Sequence, residues 1–382
     1  MAFLYQKNKT RFGIKDLAKD IDMRMLYRSG LNIYPTDFCN RRCGFCKLTG
    51  ILTTSKNRAD MSMKDIDTII DFCKRSNIHW LRILGGEPSQ HPQIVNLIGR
   101  IYEKGLRVAI IFTNGIFDND ELIKCVLRHN ITVNMNYFPR EEYKNGQWNL
   151  VQENMRKIFL GRDNLKQKVG QGRIKDRGSI LSITFYKPNQ EYRYIIDACL
   201  KYGVGYIRWA ASHSSITQEN MHLNWRNFKE MVPLMVNFVR DAVKAGIFTS
   251  VECGLVPCIL TKEDYHFLLR FADNFTFKCE PKIDVFPDLS VHYCMGMPIV
   301  SRITENNTLS QIILEQALIA EYFRRRPRSK GCLKCEWWQS KICQGYCLQY
   351  KYDKDNPQDY KLLSGLKWLE ERMQGIDRKI DA

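Results

Sequence analysis

The sequence predicts an α/β protein with a parallel sheet of alternating strands and helices, followed by a smaller cysteine-rich α+β part. From residue 31, short runs rich in β-branched and aromatic residues alternate with amphipathic stretches of helical period. Cysteines become dense only after about residue 250, where the strand candidates also shorten. Hydrophobic residues make up 44% and charged residues 26%, as in ordinary globular proteins, which excludes a disordered or fibrous chain.

Six strand candidates follow one another along the first part of the chain, and helix candidates alternate with them. The first strand is predicted at 31–36, before a helix over 62–76 with an apolar face. The other strands are predicted at 80–84, 107–112, 131–136, 180–185 and 206–211, and the other helices near 92–104, 119–129, 151–160, 190–202 and 225–245. This alternation is typical of a parallel sheet, whose ligands bind at the carboxyl ends of the strands.

The part after residue 250 has its own set of elements. We predict a hairpin at 283–294 around Pro287 and Asp288, a helix at 309–325 and an amphipathic helical tail near 362–376. The domain organisation predicted from these elements is an N-terminal extension 1–29, a large domain 30–250, a cysteine-rich domain 251–352 and a C-terminal helical tail 353–382.

The charge balance favours an acidic partner. The 58 basic and 41 acidic residues give a net charge of +17. Basic residues concentrate at 162–177 and 324–330, but neither run is interleaved with aromatic side chains, so a nucleic-acid partner is a less favoured alternative.

The sequence also indicates the compartment. No run approaches the roughly eighteen apolar residues of a membrane helix, and the first residues lack the apolar core of a signal peptide. We therefore expect a cytoplasmic protein with no membrane partner. Its 14 cysteines would stay reduced there, so clustered cysteines are more often metal ligands than disulfides.

Three closely spaced cysteines follow the first strand. Cys39, Cys43 and Cys46 form a C-x3-C-x2-C pattern in a loop that contains Gly44. Three thiolates can bind three irons of a 4Fe-4S cluster and leave the fourth iron open to an outside ligand. A structural zinc ion would need a fourth Cys or His nearby, and none follows within ten residues.

Two further motifs stand at the ends of the next two strands: Gly85-Gly86-Glu87-Pro88 and Thr113-Asn114-Gly115. Together with the cysteine loop they resemble the radical S-adenosylmethionine (radical SAM) superfamily, over roughly residues 30–250. The resemblance implies a partial (β/α)6 barrel and one 4Fe-4S cluster on the three cysteines. It also implies S-adenosylmethionine (SAM) on the open iron, cleaved to a 5′-deoxyadenosyl radical. The cofactors carry the hard chemistry, and the protein positions and shields them.

The resemblance also implies residue roles around SAM. Gly85 and Gly86 would let the backbone approach the methionyl group, and Glu87, before Pro88, would place a carboxylate near the ammonium. Phe45 matches an aromatic position near the adenine, with a plain core role as the alternative.

Three weaker cofactor contacts are implied by the later strands. Asn114 belongs to the third-strand motif. Asn134 stands where many relatives carry Ser and Asp-Gly, and could bond the ribose. Arg208 could pair with the SAM carboxylate, and a surface arginine is the alternative.

The other clustered cysteines lie in the second part of the chain: Cys253, Cys258, Cys279, Cys294, Cys332, Cys335, Cys343 and Cys347. The final four, taken alone, could be a zinc site. Downstream of a radical SAM barrel they resemble the SPASM extension, or its shorter relative the twitch domain, whose members bind auxiliary 4Fe-4S clusters. The segments 287–294 and 344–347 carry this resemblance.

Three departures from that pattern are present. Leu289 stands at the hairpin glycine, the spacing from Cys335 to Cys343 is long, and no cysteine follows Cys347 in the sequence.

By position, the resemblance implies two auxiliary ligand sets. One cluster would be held by Cys279, Cys294 and Cys347, with Cys253 or Cys258. The other would be held by Cys332, Cys335 and Cys343, and completed by Asp353, Asp355 or Asp359, or left with a free iron. A single auxiliary cluster with structural remaining thiols is the alternative. The cysteines outside these groups, Cys73, Cys125 and Cys199, are expected to be small buried hydrophobes.

The function implied is oxidative modification of a substrate after hydrogen abstraction, with auxiliary clusters that accept or relay an electron. The leading substrate is a ribosomally made peptide that receives, for example, a side-chain crosslink. Met295 after Cys294 disfavours formylglycine formation, because sulfatase-maturing relatives carry an aspartate there.

The alternatives are dehydrogenation or epimerisation of a sugar, aminocyclitol or other small metabolite, modification of a nucleotide or RNA, and a non-enzymatic iron-sulfur or zinc protein. An external one-electron reductant such as flavodoxin or ferredoxin is expected as a partner.

Overall fold

The computed structural model describes residues 30–161 and 178–351, apart from 216, 224, 254, 278, 280–282, 296, 298, 325 and 346. The predicted extension 1–29, the basic run 162–177 and the tail near 362–376 therefore lie outside the described residues.

Within the described residues, eleven strands form one sheet in the order β11-β10-β9-β1-β2-β3-β4-β5-β6-β7-β8. Neighbouring strands from β1 to β8 are parallel, which confirms the predicted α/β class with its parallel sheet. All six predicted strands are present, as β1 to β6. The bounds are β1 Leu31–Ile33, β2 Trp80–Ile83, β3 Arg107–Thr113, β4 Thr132–Asn136, β5 Ser179–Phe185, β6 Tyr206–Ala211, β7 Phe248–Val251, β8 Ala272–Asp273, β9 Ile283–Val285, β10 Ser290–His292 and β11 Ile299–Arg302.

Helices alternate with the parallel strands, as the sequence predicts. The bounds are α1 Met63–Arg75, α2 Ile94–Glu103, α3 Asp120–Arg128, α4 Gln147–Met155, α5 Arg193–Tyr202, α6 Trp225–Lys244, α7 Lys262–Phe271, α8 Leu309–Arg324 and α9 Glu336–Gln339. The helix predicted at 151–160 begins earlier, at Gln147, and its last turn, Arg156–Leu160, is a π-helix. None of the described helices is long and apolar enough to cross a membrane.

Helix α1 shows how local sequence sets an element. Ser62 caps its first turn by accepting a hydrogen bond from the Asp65 amide, and the Asp65 carboxylate accepts one from the Ser62 amide in return. Lys74 and Arg75 complement the negative end of the helix dipole. The predicted apolar face, which comprises Ile66, Ile69, Ile70 and Cys73, is buried, and Phe72 is buried as well.

The cysteine-rich part extends the same sheet. Strand β9 pairs in parallel with β1, with Leu31 opposite Ile283, and β10 pairs antiparallel with β9. The hairpin predicted at 283–294 is therefore confirmed. In its turn, Leu289 has a φ of 64°, a left-handed conformation that glycine adopts without the steric cost of a side chain.

Candidate active site

One cavity of about 200 Å³ opens at the carboxyl ends of the parallel strands. It is lined by nearly every residue that the sequence predicts to contact the catalytic cluster or SAM. Its lining includes Cys39, Cys43, Cys46, Phe45, Gly85, Gly86, Glu87, Pro88, Asn114 and Asn134. Arg208 belongs to the predicted set but not to this lining.

The three loop cysteines are half-buried and free of disulfides. The loop folds back on itself, because the Cys46 amide donates to the Cys43 carbonyl over 3.0 Å. Burial raises the pKa of Cys39 to about 12 and that of Cys46 to about 11. Thiols in this position need a bound cation to become thiolates, which is the condition that an iron cluster meets.

The Gly85-Gly86 motif is packed directly against the start of the cysteine loop. The Gly86 amide donates to the Thr36 carbonyl over 2.9 Å, and the Glu87 amide donates to the Phe38 carbonyl over 2.8 Å. A Cβ at Gly86 would overlap the Phe38 carbonyl and lie 2.9 Å from the Cys39 nitrogen. Glycine is required here because another backbone approaches it closely.

Glu87 is 1% exposed and joins the second motif to the third. Its Oε1 accepts from the Ser89 amide over 3.1 Å and from Thr113 Oγ1 over 2.8 Å, and its Oε2 accepts from the Asn114 amide over 2.7 Å. Burial raises the pKa of Glu87, and these donors oppose the rise. A carboxylate has about four acceptor positions, so Oε2 keeps capacity for one more donor from the cavity.

Asn114 connects the third motif to the cysteine loop. Its Nδ2 donates to Asn40 Oδ1 over 2.8 Å and lies 3.9 Å from Cys39 Sγ. Asn154, which is buried, donates to the carbonyls of Gly115 and Phe117 over 3.0 and 2.7 Å. The three motifs that are distant in sequence are therefore one hydrogen-bonded unit.

Aromatic rings form one wall of the cavity. The Phe45 ring stacks on Tyr186 with centroids 4.9 Å apart and lies 6.1 Å from Phe138. The guanidinium of Arg41 lies over the Phe138 ring at 3.7 Å and pairs with Glu142 at 2.9 Å. This wall can take a flat ring such as adenine by stacking.

The later strands contribute polar groups. Asn134 is buried, and its Oδ1 accepts a hydrogen bond from the Ser182 hydroxyl. Arg208 forms an ion pair with Glu252 at 2.9 Å and lies over the Phe112 ring at 4.9 Å. The contact of Arg208 with the SAM carboxylate stays a prediction. Its guanidinium is already paired with Glu252, and Glu252 itself lines the cavity.

Lys47 is a residue of this site that the sequence analysis missed. It directly follows Cys46 and lines the cavity, and its Nζ donates to Cys253 Sγ over 3.1 Å. Burial alone would lower the Lys47 pKa, but the neighbouring thiols and Glu252 raise it well above its usual value. The sequence shows the lysine but not that its amine reaches a cysteine 206 positions away.

The cysteines of the second part fall into two groups. The inner thiol set is Cys253, Cys279, Cys294 and Cys347, whose thiols influence one another electrostatically beside Lys47. The outer thiol set is Cys258, Cys332, Cys335 and Cys343, likewise grouped by the electrostatic neighbours of Cys258. Cys253 thus lies near Cys347 and Lys47, and Cys258 lies near the other three cysteines of the outer thiol set. The aspartates 353, 355 and 359 lie outside the described residues.

In the described part of the chain, no three His, Cys, Asp or Glu side chains are arranged to hold a single metal ion. In a 4Fe-4S cluster each cysteine binds a different iron, so its thiols surround a volume and need not converge on one point. The remaining cysteines, Cys73, Cys125 and Cys199, lie in helices and are buried, as expected.

Residues 33–158 match the family model of the radical SAM superfamily. GTP 3′,8-cyclase 1 of Mycobacterium tuberculosis is 29% identical over 134 residues, which cover 33% of this chain and 37% of that protein. A probable GTP 3′,8-cyclase of Methanothermobacter marburgensis is 33% identical over 90 residues, 24% of this chain and 28% of that protein. The matches therefore span little more than a third of these relatives.

Solved structures share the fold. SuiB of Streptococcus suis bound to its precursor peptide SuiA has a TM-score of 0.61 at 18% identity, over 85% of this chain and 73% of that chain. AnSMEcpe with bound AdoMet has a TM-score of 0.58 at 15% identity, over 92% and 99%. Residues 33–158 thus match the radical SAM superfamily, a family that implies a 4Fe-4S cluster and SAM.

Proposed function

We propose that the protein is a radical SAM enzyme that oxidises a peptide substrate, and that the inner thiol set holds an auxiliary 4Fe-4S cluster that accepts an electron. The observation that carries the proposal is the position of Lys47. This side chain lines the cavity beside the loop cysteines and also donates to Cys253 Sγ over 3.1 Å. A second cysteine cluster therefore borders the cavity in which the radical chemistry would occur.

The residues of the cavity fit the cofactors. Cys39, Cys43 and Cys46 would hold the catalytic cluster. Gly85, Gly86 and the free acceptor position of Glu87 suit the amino-acid end of SAM, and the stacked wall at Phe45 suits its adenine. When bound, cluster and SAM supply a 5′-deoxyadenosyl radical at the cost of one electron from an external reductant.

The chain's own contribution is enclosure and placement. Apolar side chains around the polar motif residues keep water from a reactive intermediate: Leu48, Leu52, Leu84, Phe112, Phe138 and Met295. The Lys47 ammonium lies between the two groups of thiols and offsets their negative charge once they are ionised.

An oxidative outcome balances in electrons. With the cofactors bound, a substrate C–H would lose a hydrogen atom to the SAM-derived radical, which would leave as 5′-deoxyadenosine. The substrate radical then loses one electron and one proton as the new bond or unsaturation forms. A cluster held by the inner thiol set would accept that electron next to the cavity, and its ligands would be Cys253, Cys279, Cys294 and Cys347. This assignment corresponds to a SPASM- or twitch-type part.

A peptide substrate is supported by the fold shared with SuiB and anSMEcpe, which were solved with peptides bound. The positive net charge of the chain favours a peptide with acidic side chains. A nucleotide is the second candidate, favoured by the sequence similarity to GTP 3′,8-cyclases.

The test is anaerobic reconstitution with iron and sulfide, followed by measurement of 5′-deoxyadenosine with SAM and dithionite. We expect product from the wild type and none from the Cys39→Ala/Cys43→Ala/Cys46→Ala variant. Cys199→Ala, a buried cysteine outside all three groups, is the matched control and should behave as wild type. A wild type that releases no more 5′-deoxyadenosine than the triple variant would contradict the proposal.

The substrate class needs a separate measurement. Candidate acidic peptides and GTP are each added, and the rate and deuterium content of 5′-deoxyadenosine are followed with deuterated substrate. Deuterium transferred from a peptide to 5′-deoxyadenosine would support the peptide substrate. Deuterium transferred from GTP would contradict the peptide substrate and support the nucleotide.

A further inference from the structure

We propose that Cys258 joins Cys332, Cys335 and Cys343 as the fourth ligand of a second auxiliary 4Fe-4S cluster, held by the outer thiol set. The inference rests on the proposed function in one respect, namely that the cysteine-rich part binds iron-sulfur clusters. It differs from the sequence expectation, which offered Cys258 to the first auxiliary set and aspartates to the second.

Aromatic packing brings the segment of Cys258 to the segment of the other three cysteines. Cys258 lies in the single 3-10 turn Pro257–Ile259, just before α7. On α7, the Tyr265 ring lies 5.8 Å from the ring of Trp337, which is in α9 between Cys335 and Cys343. Phe277 stacks on Tyr265 at 5.7 Å and meets Trp337 at 5.9 Å, so three rings hold the two segments together.

The chain around α9 folds so that its three cysteines come close to one another. The Cys335 amide donates to the Cys332 carbonyl over 3.1 Å, and the Cys343 amide donates to the Trp337 carbonyl over 2.9 Å. Gly345, with a φ of 71°, turns its amide onto Cys343 Sγ at 3.3 Å. An amide that donates to sulfur stabilises a thiolate, as a cluster ligand requires.

The thiol of Cys258 has the other three as electrostatic neighbours. The thiols of Cys343, Cys335 and Cys332 all lie close enough to the Cys258 thiol to interact with it electrostatically. Cys253, only five residues earlier, instead borders Cys347 and Lys47. The turn after β7 therefore sends these two cysteines to different sets.

The surroundings of Lys351 are a further indication that two negatively charged groups lie near it. Its Nζ donates to the Phe323 carbonyl over 3.1 Å and to the Gln344 carbonyl. The thiols that surround it electrostatically come from both sets: Cys343 and Cys332 of the outer set, Cys279 and Cys347 of the inner set. Burial lowers the Lys351 pKa to about 8 although these thiols oppose the fall, and thiolate-bound clusters on both sides would favour the charged form of this 9% exposed lysine.

A cluster fits the outer set better than a zinc ion. The described residues contain no group of three or more ligands arranged around one ion, whereas a cluster spreads its four thiolates over four irons. Within the outer set, Cys258 is exposed, Cys332 and Cys335 are half-buried, and Cys343 is buried.

The test uses the full chain, purified and reconstituted without oxygen, with iron, acid-labile sulfide and zinc measured per chain. Three clusters predict about twelve irons in the wild type. We expect Cys258→Ala and Cys332→Ala each to lose up to about four irons, and the double variant to lose no more than either single one. Cys199→Ala should keep the wild-type iron content, and circular dichroism confirms that each variant is folded.

Electron paramagnetic resonance of the reduced protein covers the case in which a cluster survives on three thiolates. In that case Cys258→Ala must alter the same signal that Cys332→Ala alters, and leave the signal altered by Cys253→Ala unchanged. Three results would overturn the proposal: wild-type iron and spectrum in Cys258→Ala, a change confined to the Cys253 signal, or a wild type that holds zinc in place of the iron of the third cluster. The outcome is independent of 5′-deoxyadenosine release, so failure of the proposed function is seen separately.

Discussion

Replacing Gly86 by alanine tests the contact that locks the second motif onto the cysteine loop. The added Cβ would lie 2.9 Å from the Cys39 nitrogen and overlap the Phe38 carbonyl, whereas ordinary Cβ contacts begin at 3.4 Å. Backbone atoms cannot swing aside as a side chain can, so the Phe38–Cys39 peptide must move by about 1 Å or more to clear the Phe38 carbonyl. That shift also strains the 2.8 Å hydrogen bond from the Glu87 amide to Phe38.

The expected effect follows from the displacement of Cys39, which belongs to the peptide that must move. Cys39 would be a ligand of the catalytic cluster, and a misplacement of about 1 Å at a reacting centre can cost about 100-fold in rate. We therefore expect Gly86→Ala to reduce 5′-deoxyadenosine release by about 10- to 100-fold. Gly99→Ala is the matched control, because a Cβ at this position in α2 meets no atom within 4 Å.

The assay compares the two variants for SAM affinity, iron content and 5′-deoxyadenosine release under dithionite. Gly99→Ala should keep wild-type rates and gain about 0.5–1 kcal/mol of stability, because alanine favours a helix more than glycine does. Release from Gly86→Ala within twofold of the wild type, at equal iron content, would refute the packing argument.

Two further predictions concern stability. Asn154→Ala removes the two N–H donors to the buried carbonyls of Gly115 and Phe117. The free energy of unfolding, measured by urea denaturation, should therefore fall by about 2–3 kcal/mol. A fall of less than about 0.5 kcal/mol would contradict this prediction. Burial raises the pKa of Asp284 from 3.8 to about 7, so its contribution to stability is complete below pH 4 and is lost as pH rises towards 7. The Asp284→Asn side chain cannot ionise and can still accept the hydrogen bond from Asn32. This variant should therefore gain stability relative to the wild type as pH rises from 5 to 8, by up to about 4 kcal/mol. A difference in stability that does not vary with pH would contradict this prediction.

The parallel sheet and its first site could be predicted because both depend on local patterns. Strand and helix periods are set by neighbours along the chain, and the motifs at Cys39, Gly85 and Asn114 stand at successive strand ends, which a parallel sheet brings to one edge. The same rule placed Asn134 in the lining. It could not place Arg208, because the ion pair with Glu252 depends on the strand beside it.

The grouping of the later cysteines could not be predicted, because it depends on tertiary packing. Cys253 and Cys258 are neighbours in sequence, yet a single 3-10 turn and the ring contacts of Trp337 direct them to different sets. Lys47 shows the same limit, since nothing local indicates that its amine reaches Cys253. Glu87 was predicted to bind a cofactor ammonium, and most of its acceptor capacity is used by protein donors.

The cysteine-rich part is fixed to the parallel sheet at two places, and this constrains how electrons could reach the cavity. On one side β9 pairs with β1, and Asn32 donates to Asp284 over 2.6 Å; a slip of one residue would turn this buried pair to the other face. On the other side Tyr350 donates to the Leu223 carbonyl over 2.8 Å, close to β6. Because both ends are held, the inner thiol set keeps a fixed place beside Lys47, and an electron acceptor there would need no domain closure to reach the substrate end of the cavity.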